Sequence, residues 1–273
     1  MPSYPEPVQH RFAHPDHPLH YVEAGSGETL LLIHGSLCDY RYWRWQFAGL
    51  SAAYRLVAPS LRGYWPEAFT AEDPSFSIER HTRDLAVFIQ QIDGGRPVHI
   101  LGHSRGAQVA LELACAVPDL TRSLTLADPG FRIQGEELTP SYHGESVQLL
   151  RDGEVELALS SFVDAVNGPG TWKKMVGWFK VMVKDNAYTL LSQLREINLG
   201  VDMERASRLR CPVLLVGGSD SPARYGTRIK ALEQALARTS RETIPQASHG
   251  MNLANPKAFN QVIARFLEST QRS

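Results

Sequence analysis

One serine stands where serine becomes a nucleophile. Gly102-His103-Ser104-Arg105-Gly106 follows the apolar run VHIL and opens a helical pattern, AQVALELA. A G-x-S-x-G turn between a strand and a helix holds its central serine in a strained conformation with the hydroxyl exposed. The flanking glycines are needed because side chains there would strike the neighbouring strand and helix. The start of the helix adds a positive dipole near any developing oxyanion.

A serine hydroxyl is a weak nucleophile and needs a base, itself oriented by an acid. On turns of this kind the chain order is serine, then acid, then histidine. His249, in ASHGMNLANP, is the only one of ten histidines that lies just after the last predicted strand and before the last predicted helix. Two aspartates compete as the acid. Asp220 follows VLLVG in the loop GSDSP, and Asp128 follows SLTLA in the loop DPG. Both stand at carboxyl ends of strands, where open α/β sheets carry their sites. Asp220 is the preferred assignment. Asp128 is the alternative acid, or a cap for the turn made with Pro129 and Gly130.

The developing oxyanion needs backbone N–H groups aimed at it. One is expected from Arg105, the residue after the serine. The other is expected from the loop after LLLIH, with Ser36 as first choice and Leu37 as second, and with Gly35 permitting close approach of the backbone. The Arg105 side chain reads either as a contact for an anionic substrate or as a surface residue at a helix start.

The elements that must position these groups are visible as alternating patterns. Leu30–His34, Arg55–Pro59, Val98–Gly102, Ser123–Ala127, Val213–Gly217 and Arg241–Ile244 are short apolar runs, mostly without polar alternation. Strands buried on both faces read that way, which predicts a parallel sheet covered by helices. Helices are predicted over Ser77–Ile92, Arg105–Ala116, Tyr225–Ala237 and Lys257–Leu267. Ser77 lacks the acidic partner of a full capping box. Between Phe131 and Arg208 no convincing strand appears. Helical stretches around Glu145–Val166 and Trp172–Ile197 are separated there by the turn Asn167–Gly170.

LLLIHGS, YRLVAPSLRG, VHILGHSRGA, LTLADPG, VLLVGGSD and ASHGMNLANPKAF together resemble the α/β-hydrolase superfamily, over about residues 20 to 268. The resemblance implies an eight-stranded, mostly parallel sheet flanked by helices. Residues 1–130 and 209–273 would form its core and 131–208 a helical cap inserted above the site. It implies Ser104 as nucleophile, His249 as base and Asp220 as acid. Two departures stand out. Ser60 replaces the usual Asp of DLRGHG, and Tyr64-Trp65 replace its HG. Aspartate at the elbow would resemble epoxide hydrolases or haloalkane dehalogenases, and serine argues against both. The implied activity is hydrolysis of a carboxylic ester or lactone of a small to medium apolar substrate. Carbon–carbon bond hydrolysis, perhydrolysis, cofactor-free dioxygenation and slow-turnover ligand reception are alternatives on the same fold.

Apolar residues in WKKMVGWFKVM (Trp172, Met175, Trp178, Phe179) recur near helical spacing. They either pack on the core or, with Trp43, line an adaptable substrate pocket. Tyr40, Tyr42 and Trp45 admit the same two readings. No metal site, cofactor or nucleic-acid partner is expected. Cys38, Cys115 and Cys211 form no CxxC pair, Walker and Rossmann motifs are missing, and the net charge is -1. Three scattered cysteines, no signal-like segment and no apolar run of membrane-spanning length lead to the expectation of a cytoplasmic protein acting on a small molecule.

Overall fold

The computed structural model describes residues 7–67, 73, 75–136, 142–197 and 199–271. The strands, in chain order, are β1 (Val8–Phe12), β2 (Leu19–Ala24), β3 (Thr29–Ile33), β4 (Arg55–Pro59), β5 (Val98–His103), β6 (Thr121–Ala127), β7 (Arg132–Ile133), β8 (Gly200–Val201), β9 (Val213–Gly218) and β10 (Thr239–Ile244). Eight of them form one sheet in the order β1-β2-β4-β3-β5-β6-β9-β10. β1 and β2 pair antiparallel, as do β2 and β4, and every other neighbour is parallel.

The helices are α1 (Arg44–Leu50), α2 (Ile78–Ile92), α3 (Arg105–Ala116), α4 (Tyr142–Arg151), α5 (Val155–Asn167), α6 (Thr171–Lys174), α7 (Gly177–Asp185), α8 (Thr189–Gln193), α9 (Met203–Ala206), α10 (Ala223–Ala235), α11 (Met251–Ala254) and α12 (Pro256–Gln271). β3 shows why its run is continuously apolar. Leu30 and Leu32 enter one core with α1 and α12, while Leu31 and Ile33 enter a second core with α2, α3 and α10. Successive side chains point to opposite faces, so a sheet covered on both sides needs apolar residues at every position.

β4 matches its predicted limits, and the other four parallel strands and β10 differ by one or two residues. β1 and β2 were not predicted. β2 alternates buried and half-buried positions, and β1 is largely exposed at the sheet edge, so neither carries an apolar run. Ser77 caps α2 without an acidic partner, its hydroxyl accepting from the Arg80 N–H at 3.0 Å.

The helical insert α4–α8 leaves the sheet after β6 and returns before β9. Each of its two predicted stretches is broken into shorter helices. Gly153, at φ +83°, separates α4 from α5. The insert is not free of strands: β7 and β8 pair in parallel where it enters and leaves. Gly200 makes that pairing possible, since a Cβ there would lie 2.5 Å from the Gln134 nitrogen. Apolar residues of the insert, among them Leu159, Phe162, Met182 and Leu190, join the core that holds α1 and α12. Among the described residues no helix is long and apolar enough to cross a membrane.

Candidate active site

Ser104 sits between β5 and α3 at φ 55°, ψ -123°. A non-glycine residue with positive φ carries strain of about 1–3 kcal/mol and persists only where its surroundings over-determine it. Here the Ser104 N–H donates to the Ala127 carbonyl, and the Ser104 carbonyl accepts from the Gly130 N–H, both at 3.0 Å. The glycines on either side are sterically required. A Cβ on Gly102 would lie 2.3 Å from the Gly106 oxygen, and one on Gly106 would lie 2.2 Å from the His34 oxygen.

His249, in the loop between β10 and α11, brings Nε2 to 2.9 Å from Ser104 Oγ. Two rings pack against its own. Tyr225 of α10 stacks on it with centroids 4.1 Å apart and planes 10° apart, and the His103 ring lies tilted by 39° with its centroid 4.5 Å away. His103 Nε2–H also donates to the His249 carbonyl at 2.7 Å, which fixes the loop as well as the ring. Burial, helped by the nearby Arg224 cation, pushes His249 down to about 3, so the imidazole is neutral near pH 7 and able to accept a proton. Burial likewise holds His103 down at about 3.

The carboxylate at His249 belongs to Asp128, whose Oδ2 is 3.2 Å from Nδ1. Asp128 directly follows β6, has φ 38° and is fully buried. Its Oδ2 also accepts from the Ser221 hydroxyl at 2.5 Å. Burial raises its carboxyl to about 6. The preferred assignment, Asp220, is corrected by this geometry. Asp220 is exposed, its side chain accepts from the hydroxyl of its neighbour Ser219, and it has no contact with His249 among the described residues. β6 lies beside the serine's strand β5, whereas β9 lies one strand farther out. From there Ser221 of the loop after β9 and Tyr225 of α10 reach the site.

The loop after β3 approaches the serine closely: a Cβ on Gly35 would lie 2.9 Å from Ser104 Cβ. His34 braces this loop. Its Nε2 accepts from the Leu61 N–H at 3.0 Å, which leaves Nδ1–H to donate to the Gly35 carbonyl at 2.9 Å. Leu37 follows at φ 60°. The backbone N–H groups of Ser36, Leu37 and Arg105 have no acceptor among the described residues.

The Arg105 side chain is neither a surface residue nor an open anion contact. It is buried and forms a two-pronged pair with Glu196 of the insert, at 2.8 and 2.9 Å, while a further N–H donates to His81 Nδ1. The Ser36 hydroxyl donates to Gln193 Oε1 at 2.6 Å, and Gln193 in turn donates to the Tyr64 hydroxyl. Asn186 donates to Asp39. Buried polar bonds thus tie the end of the insert to the oxyanion loop and to the elbow. None of these partners had been predicted, because each pairs residues far apart in sequence.

Two cavities meet at Ser104. One, of about 500 Å³, is mostly apolar and is lined by Met175, Trp178 and Phe179 together with Tyr42, Trp45 and Leu253. Two residues expected in a pocket do not line it. Trp43 is fully buried against Tyr42, and Trp172 packs inside the insert, its indole N–H donating to Glu156. Tyr40 instead packs edge-on against Trp65. The second cavity, of about 530 Å³, shares Ser36, Ser104, Phe162 and Val166 with the first and carries more polar groups. Among the described residues no cluster of three or more histidine, cysteine or acidic side chains is placed to hold a metal ion.

Residues 30–262 match the model of the Alpha/beta hydrolase family. The chain belongs to that family. Within it the chain is 22% identical over 260 residues to (E)-2-((N-methylformamido)methylene)succinate hydrolase of Acinetobacter baylyi, covering 92% of this chain and 94% of that one. It is 28% identical over 123 residues to bifunctional epoxide hydrolase 2 of Sus scrofa, a match that covers 45% of this chain but only 22% of the pig protein. The solved enol-lactonase from Burkholderia xenovorans superposes with a TM-score of 0.81 at 19% identity, over 95% of this chain and all of the other. At that identity the likeness establishes the α/β-hydrolase fold and nothing finer.

Proposed function

We propose that this hydrolase cleaves a carboxylic ester or lactone through an acyl-serine intermediate, with Ser104 as nucleophile, His249 as base and Asp128 as the orienting acid. The observation that carries the reading is the 2.9 Å approach of a neutral imidazole to the hydroxyl of a positive-φ serine. Ser104 Oγ attacks the carbonyl carbon as its proton passes to His249 Nε2. The carbonyl oxygen becomes an oxyanion facing the N–H groups of Arg105 and Ser36, with Leu37 as the second donor candidate. Ser36 is favoured because it lines both cavities with Ser104. His249 then protonates the leaving alkoxide as the C–O bond breaks. Water, deprotonated by the same nitrogen, attacks the acyl carbon and releases the acid and free Ser104. Asp128 keeps the proton on Nδ1 and stabilises the imidazolium formed in each step.

Of the proteins this chain resembles, one is named a hydrolase of a substituted succinate and another an enol-lactonase, and the second name denotes cleavage of a cyclic ester. The partial match to epoxide hydrolases does not favour epoxide opening here, because Ser104 stands where the carboxylate nucleophile would be. A small-molecule substrate fits cavities of about 500 and 530 Å³. The test is Ser104→Ala assayed on 4-nitrophenyl esters of graded chain length. The expected loss in kcat is on the order of 10⁶-fold, together with loss of labelling by a fluorophosphonate. Retained turnover in the purified variant would overturn the assignment.

A further inference from the structure

The two residues whose N–H groups are proposed for the oxyanion, Ser36 and Arg105, are held by the same stretch of the insert. Gln193 Oε1 accepts from the Ser36 hydroxyl at 2.6 Å, and Glu196 takes the Arg105 guanidinium with two bonds of 2.8 and 2.9 Å. Gln193 ends α8. Glu196 lies about one turn farther, and its N–H donates to the Gln193 carbonyl at 2.9 Å. Both side chains are buried. The Gln193 amide is fixed in turn, because its nitrogen donates to the Tyr64 hydroxyl at 3.1 Å and to Thr189 Oγ1 at 3.3 Å. Tyr64, one of the departures from DLRGHG, also accepts a 3.5 Å bond from Arg105. Its ring stands edge-on to the ring of His34, which donates to the Gly35 carbonyl.

The two donors are not equally fixed without the insert. Arg105 opens α3 beside the serine, where the main-chain bonds of Ser104 to Ala127 and Gly130 hold the elbow. Ser36 has no such frame. Among the described residues its main chain makes no hydrogen bond, so the hydroxyl bond to Gln193 is its polar tether. Only Cβ and Cα separate that hydroxyl oxygen from the amide nitrogen, so holding one orients the other. The hydroxyl proton is committed to Gln193, which leaves the N–H to meet a ligand oxygen. Oxyanion donors act within a narrow range of distance, and a misplacement of about 1 Å can cost on the order of 10²-fold in rate.

We infer that Gln193 is a positioning residue for the oxyanion hole: with Glu196 it forms a strut from Arg105 to Ser36 that sets the spacing of the two N–H donors. The insert then acts on the chemical step through Ser36, beyond its part in walling the cavities. The inference rests on the acyl-serine reading above and on Ser36 as its oxyanion donor.

Ser36→Ala and Gln193→Leu remove the tether from its two ends, and both keep the Ser36 N–H. On 4-nitrophenyl hexanoate each is expected to lower kcat about tenfold, a fraction of the loss caused by deleting an oxyanion donor, with KM within about twofold. The double variant should lose no more than about tenfold, because the residues act as one unit, whereas independent roles would multiply to about a hundredfold. A merely structural contact would not change transition-state binding selectively. The Ki of phenethyl trifluoromethyl ketone, which forms a hemiketal oxyanion on the nucleophile, should therefore rise about tenfold in each variant, while that of phenethyl methyl ketone stays within about twofold. Ser36 is half-buried, so Ser36→Ala keeps the test intact should Gln193→Leu fail to fold. An unchanged kcat, a loss carried by KM, a multiplied loss in the double variant or an equal rise in both Ki values overturns the strut. Should no ester be turned over, the ester reading fails on its own. The rate at which a fluorophosphonate labels Ser104 then decides, because its phosphoryl oxygen needs the same N–H groups. Labelling about tenfold slower in Ser36→Ala sustains the positioning role, and labelling at the parent rate overturns it. A parent that is not labelled overturns both.

Discussion

The loops after β6 and β9 each carry an aspartate at the carboxyl end of a parallel strand, yet their environments are opposite. Asp128 is fully buried, strained at φ 38° and 3.2 Å from His249. Asp220 is exposed and, among the described residues, held only by its neighbouring serine and a backbone bond to Ala247. The difference follows from position in the sheet. In the proposed triad the histidine must reach Ser104, just past the end of β5, and the acid must reach the far nitrogen of the same ring. A residue on β6, the adjacent strand, meets that requirement. The chain after β9, one strand farther, contributes support instead: the Ser221 hydroxyl of its loop on Asp128 and, from the first turn of α10, the Tyr225 ring on His249.

The largest expected effect separates the two loops directly. Asp128→Asn should lower kcat by about 10⁴-fold, because the amide cannot hold the required imidazole tautomer or stabilise the imidazolium. Stability should move the other way. A carboxyl raised to about 6 binds its proton more tightly folded than unfolded, so it contributes stability at low pH that is lost as pH rises through 6. Above that pH the buried charge is a burden, and a neutral asparagine should leave Tm unchanged or higher at pH 7. Paired kinetics and melting curves check both signs. A fall in activity with an equal fall in Tm would mean that Asp128 is merely structural.

The pH profile is the next discriminator. The proposed mechanism needs Asp128 ionised and His249 neutral. Burial sets the first near 6 and the second near 3, so the carboxyl protonates first on acidification. kcat/KM should be flat above about pH 7 and fall about tenfold per unit well below 6. The limb belongs to the coupled pair. It should be absent near pH 6 in Asp128→Asn and unchanged in Asp220→Asn.

Much of this was legible in the sequence, for reasons that also mark where reading stops. Residues in β3, β5 and β9 face two cores at once, so their runs are unmistakable, and the two glycines of the elbow are forced by contacts local to the turn. β1 and β2 sit at a partly exposed antiparallel edge, where no apolar run forms. The choice between Asp128 and Asp220 turns on strand order across the sheet, which local sequence does not encode. Trp43 and Phe179 are equally apolar, and only the packed structure separates a core residue from a cavity wall. The bonds from Gln193 and Glu196 to the site join positions more than 90 residues away.

The support from the β9 side should have a measurable but smaller effect. Tyr225→Leu removes an aromatic face stacked on the base, an interaction of about 0.5–1.5 kcal/mol. kcat should fall about tenfold or less, with KM little changed, because the ring touches His249 and stabilises the imidazolium formed only during reaction. Tyr225→Phe should restore most of the loss, since it keeps the stack and removes the hydroxyl, whose bond to the Val166 carbonyl is long at 3.4 Å. A variant in which phenylalanine fails to rescue would shift the role from the ring to the hydroxyl.

Asp220→Asn completes the comparison with the smallest effect. The side chain is exposed, and the substitution keeps an oxygen able to accept from Ser219. kcat should stay within about twofold of the parent and Tm within a degree or two, the usual range for surface changes away from special features. A loss comparable to that of Asp128→Asn would require the β9 loop to rearrange and carry Asp220 to His249. That movement would have to break the Asp220 N–H bond to Ala247 and displace Ser221 from Asp128. A double variant, Asp128→Asn with Ser221→Asp, asks whether the β9 loop can supply the acid from its nearest position. Recovery of even 1–2% of parent activity, on the order of a hundredfold above Asp128→Asn alone, would show that what disqualifies Asp220 is reach and not the strand that bears it.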